Sequence, residues 1–227
     1  MEKYKLHKEV KILLFLLSFF LVLVFASPIF MSLGLRYIPY SFQPPLFGSE
    51  KLFNEQSLSQ EFISPQDNLT AIGVSIRNFN LQSKGDVILE VYSRGGLIRR
   101  SVVSGSSIKD GDIVIFTFDK IPNSRSVSYV FKLSTLEVGK EKAYEVYTTN
   151  EPQDFAGSLY INDMPVEKPI SFLLYFAPES RFSLIYDIYK SWFNRFYSDY
   201  NFFYFFIATF SLLAILIIYF AKKEGGR

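Results

Sequence analysis

The chain has 227 residues, with 24 Lys and Arg against 22 Asp and Glu, no cysteine and one histidine. A net charge of +2, with no basic stripe interleaved with aromatics in the central region, excludes a nucleic-acid surface. The lack of Cys excludes a disulfide framework, a Cys-based zinc site and a thiol nucleophile together. The single histidine, His7, lies in the N-terminal basic segment, so a His-based triad cannot be assembled in the central region. The unusual quantity is the aromatic content, 25 Phe and 15 Tyr concentrated toward the chain ends, as in a membrane protein.

Residues 1–11 carry Lys3, Lys5, Lys8 and Lys11 against two Glu, and the next 24 residues, Ile12 to Leu35, contain no charge. At about 1.5 Å per residue this run spans roughly 36 Å of helix, enough to cross a hydrocarbon core with some tilt. Four Lys before the run and only Arg36 just after it place residues 1–11 in the cytoplasm by the positive-inside rule. A cleaved signal peptide ending near Ala26 is the competing reading; the length of the uncharged run favours an uncleaved anchor. Residues 36–49 contain Pro39, Pro44 and Pro45, which discourage helix and central strand, and are expected to be a spacer.

Between 50 and 178 the pattern changes to short alternating segments. Strands are expected at Leu58–Ile63, Thr70–Asn78, Asp86–Ser93, Leu97–Ser104, Ile113–Asp119, Val127–Ser134, Ala143–Thr149, Gly157–Ile161 and Ile170–Phe176. Apolar residues at every second position, such as Ile72, Val74 and Ile76, give each strand one buried face. Nine short strands with turn signals such as Arg94-Gly-Gly96 and no intervening amphipathic helix predict a mainly β fold, an antiparallel β-sandwich. Residues 179–201 then space Phe182, Ile185, Tyr186, Tyr189, Phe193, Phe196 and Tyr200 three and four apart, predicting an amphipathic interfacial helix. Residues 202–221 are uncharged and read as a second crossing, with 222–227 cytoplasmic. The expected topology has both termini in the cytoplasm of a cell membrane and residues 50–178 outside it.

The segments Gln60-Glu-Phe62, Leu69-Thr-Ala-Ile72, Gly85-Asp-Val-Ile-Leu89, Phe116-Thr-Phe-Asp-Lys-Ile-Pro-Asn-Ser124 and Tyr129-Val-Phe-Lys-Leu-Ser134 follow one another in this order. That order resembles the jelly-roll, carbohydrate-binding-module-like β-sandwich found as an extracytoplasmic insert in bacterial membrane proteins, including polytopic glycosyltransferases of the cell envelope. The resemblance covers about a third of the chain and implies a jelly-roll-like ectodomain flanked by one transmembrane helix at each end. Those glycosyltransferases carry many membrane helices and a catalytic acidic residue in an outer loop, so their activity is not carried over.

Candidate chemistry is sparse. Asp110-Gly-Asp112 has the spelling of a metal-holding acidic pair, but between two strands Lys-Asp-Gly-Asp reads more simply as a turn. No cofactor is expected, with a structural Ca²⁺ on Asp110 or Asp112 as the alternative. Glu90, Asp154, Asp163 and Glu167 are carboxylates without a spacing that pairs them for glycoside cleavage. Asn68-Leu-Thr70 fits a glycosylation pattern too short to carry weight. Tyr92, Tyr147, Tyr160 and Tyr175 fall on expected strands, where aromatics serve packing more often than ligands; Tyr92 and Tyr147 are the candidates for stacking on sugar rings. The expectation is therefore a non-enzymatic two-pass protein, with the lipid bilayer and either a membrane-protein partner or an envelope glycan as partners. It would act as an accessory subunit; the alternatives are a stand-alone carbohydrate-binding protein and a reduced relative of a membrane glycosyltransferase.

Overall fold

The uncharged runs fold as helices and the alternating segments as two antiparallel sheets in a computed structural model that describes residues 8–34, 37–151 and 153–225. Lys3, Lys5, His7, Leu35, Arg36 and Arg227 lie outside the described residues, and with them most of the charge reading at the N-terminus. Two compact units result: Arg36–Pro178, and Met1–Leu35 with Glu179–Arg227.

The helical unit contains α1 (Lys8–Gly34), α2 (Arg181–Ser198) and α3 (Tyr200–Gly225). Within α1, Leu14–Gly34 is long and apolar enough to cross a membrane. In α3 the apolar stretch among the described residues is Phe203–Leu216, about 21 Å of helix and short of the roughly 30 Å of a hydrocarbon core. The amphipathic α2 starts on a cap: Ser180 Oγ accepts a hydrogen bond from the Ser183 N–H at 3.1 Å, satisfying one of the free donors of the first turn. It is separated from α3 by Asp199, whose carbonyl accepts the Phe203 N–H at 3.0 Å. Trp192 of α2 meets Phe25 of α1 at 5.9 Å and Phe206 of α3 at 6.3 Å, both edge-on, and the Tyr189 hydroxyl donates to the Phe25 carbonyl. One tryptophan thus joins all three helices.

The β unit comprises β1 (Ile38–Pro39), β2 (Gly48–Leu52), β3 (Leu58–Ile63), β4 (Leu69–Arg77), β5 (Val87–Ser93), β6 (Gly96–Val103), β7 (Asp112–Ile121), β8 (Ser128–Thr135), β9 (Tyr144–Thr148), β10 (Ala156–Ile161), β11 (Met164–Val166) and β12 (Phe172–Phe176). The first sheet runs β1-β12-β4-β9-β2, with β7 also on β4; the second runs β11-β10-β3-β8-β5-β6. Val74 of β4 pairs with Phe172 on one side and Val114 on the other, while Ile76 pairs with Val146 and Asp112. Strands β12 and β9 therefore follow one another along the same edge of β4. The pairings of β2 to β9 are nested: β5 with β6, β4 with β7, β3 with β8, and β2 with β9.

The core lies between the sheets. The Phe172 ring of the first sheet packs edge-on against Phe131 at 5.1 Å and Phe62 at 6.0 Å in the second. Tyr144, Phe116, Leu58, Ile72 and Leu89 are completely buried around them. Because β4 is central and covered on both faces, Leu69, Ala71, Ile72, Val74 and Ile76 are all fully buried along it.

The nine expected strands correspond to β3–β10 and β12, with ends shifted by at most two residues. Three strands fall outside the periodic signal. Residues of the expected spacer join the first sheet, with Ile38 opposite Phe176 and Gly48 opposite Thr148. Gly48–Leu52 carries one apolar residue, Leu52, so its pairing is dictated by β9 and not by its own alternation. Pro39 is tolerated because β1 lies at the edge of its sheet.

One end of the sandwich is tied by polar groups. Asn78 is buried; its Nδ2 donates to the carbonyls of Ser83 at 2.9 Å and Gly105 at 3.2 Å, and its Oδ1 accepts from the Ser83 N–H. Nearby the buried Tyr144 hydroxyl donates to the Gly85 carbonyl at 2.7 Å. Burial pushes the Tyr144 hydroxyl up to about 12, with Asp86 adding to the effect. A Cβ on Gly105 would lie 2.0 Å from that hydroxyl, so only glycine fits there.

Because the folded state holds Tyr144 protonated above the ordinary value near 10, its contribution to stability is complete below pH about 10 and is lost as pH rises toward 12. Thermal melts of the detergent-solubilised protein should fall steeply across that window, and less steeply in Tyr144→Phe; equal slopes would contradict the assignment. Gly105→Ala should cost about 2 kcal/mol or more in the same melts.

Candidate binding face

Alternation fixes which side chains leave the second sheet on its solvent side. In β3, Leu58, Gln60 and Phe62 are buried and Ser59 and Glu61 point out; in β8, Tyr129, Phe131 and Leu133 are buried and Val130 and Lys132 point out. Register then aligns the outward residues. Tyr160 of β10 lies opposite Ser59, Ser59 opposite Lys132, Lys132 opposite Glu90, and Glu90 opposite Arg100. Five strands at a spacing of about 4.8 Å make this row roughly 19 Å long. A second row beside it contains Glu61, Val130 and Tyr92, again directly paired.

Hydrogen bonds link the rows. The Tyr160 hydroxyl donates to Glu61 Oε1 at 3.4 Å, and the Tyr92 hydroxyl donates to Glu90 Oε2 at 2.7 Å. Arg100 Nε lies 3.8 Å from Glu90 Oε1, an ion pair weakened by the exposure of the arginine. The bond to Glu90 is the main reason the Tyr92 hydroxyl is held above its ordinary pKa, ahead of desolvation and the charge of Glu90. Glycine at 157 makes room at the edge: a Cβ there would come within 2.9 Å of the Glu61 Cβ. The result is a half-exposed surface with carboxylates, an ammonium, a guanidinium and two phenols in one plane.

The two tyrosines singled out from the sequence are not brought together. Tyr92 belongs to this face, whereas Tyr147 stands on the solvent side of β9, opposite Ser49 in the other sheet. Tyr175 is also on that other sheet and is packed, not displayed: it is buried with Ala71 and Leu173, meets Tyr37 edge-on at 5.3 Å, and its ring lies over Gly73. Tyr160, Glu61 and Lys132 are the components that sequence reasoning left unassembled. Their outward alternation is present in the sequence; the pairing of β3 with β8 and β10, which gathers them, is not.

Asp110 and Gly111 form the turn before β7, with Gly111 at φ +80, and Asp112 begins the strand, exposed. Asp110 Oδ1 accepts from Arg77 Nε at 2.9 Å, and Arg77 also reaches Glu145 Oε2 at 3.5 Å. The hydrogen bond to Asp110 is the main influence raising the Arg77 pKa. Among the described residues no group of three or more His, Cys, Asp or Glu is placed to hold a metal. Asp163 occupies the turn between β10 and β11 with φ 67, Glu167 follows β11, and Asp154 lines a cleft on another part of the unit.

No model of a known protein family matches the chain, and no curated protein is similar to it.

The Tyr92 phenol should titrate above the ordinary tyrosine value near 10, followed by NMR of the labelled ring, and Glu90→Gln should bring it down. An identical midpoint in both proteins would show that the 2.7 Å contact does not govern this hydroxyl.

Proposed function

We propose that the chain is a non-enzymatic two-pass membrane protein that presents its sandwich outside the cell, where the Tyr160–Glu61–Lys132–Glu90–Tyr92 face recognises an envelope glycan. The observation that carries the reading is that face itself. Carboxylates that only accept, an ammonium that only donates and phenols that do either lie in one plane, beside flat aromatic rings. This is the mixture a hydroxyl-rich ligand requires, and a row of roughly 19 Å suits an oligosaccharide better than a single sugar.

The nested pairings support a jelly-roll reading of the sandwich. Orders β2-β9-β4-β7 and β3-β8-β5-β6 distribute eight strands over two sheets, with β10, β11, β12 and β1 as additions at the edges. For the topology, Leu14–Gly34 serves as one crossing, and α3 as the other on the strength of an uncharged sequence from 202 to 221. Residues 50–178 then lie outside and both termini inside. Carboxylates already held by Arg77, Tyr92 or Arg100 are better suited to recognition than to proton transfer.

A second reading, an accessory subunit of a larger membrane protein, is favoured by the aromatic surface of α2. Phe182 and Tyr197 are 86% and 87% exposed in the described unit, and Tyr186 is exposed on the same helix. A partner's membrane helices would cover them.

Glycan-array binding by the detergent-solubilised protein should fall roughly tenfold or more in Tyr160→Ala and Tyr92→Ala and stay unchanged in Tyr147→Ala. A blank array, or equal losses in all three variants, discards the glycan face. Protease added to intact cells should cut within 50–178; protection of that segment overturns the topology. Co-purification of one specific membrane protein with an otherwise blank array would favour the accessory reading.

A further inference from the structure

The first sheet has a second, smaller apolar cluster besides the core, Ala71, Leu173 and Tyr175, with Tyr37, Ile113 and Ile115 packed against it. Residues 37–43 run from the edge of β12 toward β4 over this cluster. Ile38 and Pro39 pair with Phe176 and Tyr175, the Tyr37 ring meets Tyr175 at 5.3 Å, and Gln43 Nε2 donates to Ser75 Oγ at 2.9 Å.

This cover is lightly held. Strand β12 pairs with β4 over five residues on one side, but with β1 over only two on the other. Pro39 has no N–H to give. The Tyr40 N–H donates to the Leu174 carbonyl at 2.9 Å, and the next backbone bond along the segment is the one from the Phe47 N–H to the Thr148 carbonyl, also at 2.9 Å. Pro44 and Pro45 stand between these two anchors. The Phe42 side chain is 97% exposed, and Ser41 Oγ is buried without a hydrogen-bond partner, so neither fastens the segment. What lies beneath is of the opposite character: β12 reads Phe-Leu-Leu-Tyr-Phe, and all five residues are buried. A strand edge beside apolar surface pairs with an extended segment offered to it, which is why folded chains keep such edges covered.

We propose that residues 37–43 form a reversible strap, hinged at Pro44-Pro45, that opens while the sandwich stays folded and offers the edge of β12 to an extended apolar segment of another chain. Closed, the strap fills that place itself. Opening breaks the two-residue ladder, the Tyr40 and Gln43 bonds and the contact between Tyr37 and Tyr175. Opening β4 would break pairings with β12, β7 and β9 together, so the two events differ widely in frequency. The strap belongs to the first sheet and is independent of the glycan face on the second.

The test is hydrogen exchange of the full chain in uncharged detergent, followed at single amides by mass spectrometry with electron-transfer fragmentation. The Tyr40 amide should exchange roughly a hundredfold or more faster than the amides of Phe47 and of β4. Tyr37→Ala should speed Tyr40 further and leave β4 unchanged. Because the chain has no cysteine, Ile38→Cys with Phe176→Cys introduces a single possible disulfide, between residues directly opposite in the ladder. Oxidation of that variant should slow Tyr40 exchange about tenfold or more relative to its reduced form, a comparison in which the substitutions themselves cancel. A synthetic peptide of residues 37–43, observed by saturation-transfer NMR, should bind the reduced form with a Kd of about millimolar, against competition from the tethered strap, and lose binding on oxidation. Tyr40 protected as long as Phe47 or β4, exchange indifferent to the lock, or peptide binding that is absent from the reduced form or survives oxidation would each overturn the proposal. Should the double variant fold poorly, the comparison of Tyr40 with Phe47 in the native chain still decides.

Discussion

The buried amide of Gln60 is the constraint on which the closing of the sandwich depends. It sits in the core on β3, fully inaccessible, and both its Nε2 and its Oε1 bond to backbone. Its Nε2 donates to the carbonyls of Gly157 at 2.8 Å and of Glu61 at 2.9 Å, and its Oε1 accepts the Ile170 N–H at 2.9 Å. One side chain thereby ties the second sheet at β3 and β10 to the segment that leads into β12 of the first sheet. An amide can do this where an aliphatic residue cannot, because the strands bulge between Ala156 and Leu159 and leave backbone groups without ladder partners. The same bulge brings Gly157 against Glu61 and sets Tyr160 opposite Ser59, so the polar tie inside the core also positions the edge of the outer face.

The outer faces of the two sheets differ. Along β4 and β12 the outside of the first sheet is covered: Ala71, Ser75, Leu173 and Tyr175 are buried, Tyr37 packs on Tyr175, and Gln43 bonds Ser75. The segment expected to be a free spacer supplies both covering residues. The outside of the second sheet keeps its charged and phenolic groups half-exposed, linked to one another and not to the core.

Legibility in the sequence followed the range of the interactions involved. Strand positions rest on local alternation and turn residues, and β3–β10 and β12 emerge from those alone; the Gly111 turn with φ +80 is of the same kind. What depends on partners far along the chain did not emerge. Tyr160 and Glu61 are 99 residues apart, Gln60 and Ile170 are 110 apart, and neither pairing leaves a local trace. Tyr92 and Tyr147 look alike as outward tyrosines on strands, yet the nesting of pairings sends β5 and β9 into opposite sheets. Short strands with little apolar content, β1, β2 and β11, were invisible because their neighbours, not their own residues, hold them in place. The expected second crossing stands differently: 202–221 is uncharged in sequence, but the apolar helix among the described residues is only Phe203–Leu216.

The pairing of β1 with β12 carries a mechanical meaning. Ile38 lies opposite Phe176 and Pro39 opposite Tyr175, so the backbone comes into the sandwich and leaves it on adjacent strands, separated by one ladder spacing. Such a module can be spliced into a loop of another polypeptide without prying its host apart, since the gap it must bridge is already closed. Tension applied through the two ends would load this short ladder across its strands, parting its bonds one after another. The first things to give would be β1 and the cover that Tyr37 provides, leaving the Phe62, Phe131 and Phe172 cluster intact behind them. The sandwich thus has a seam at its ends and a rivet at its centre.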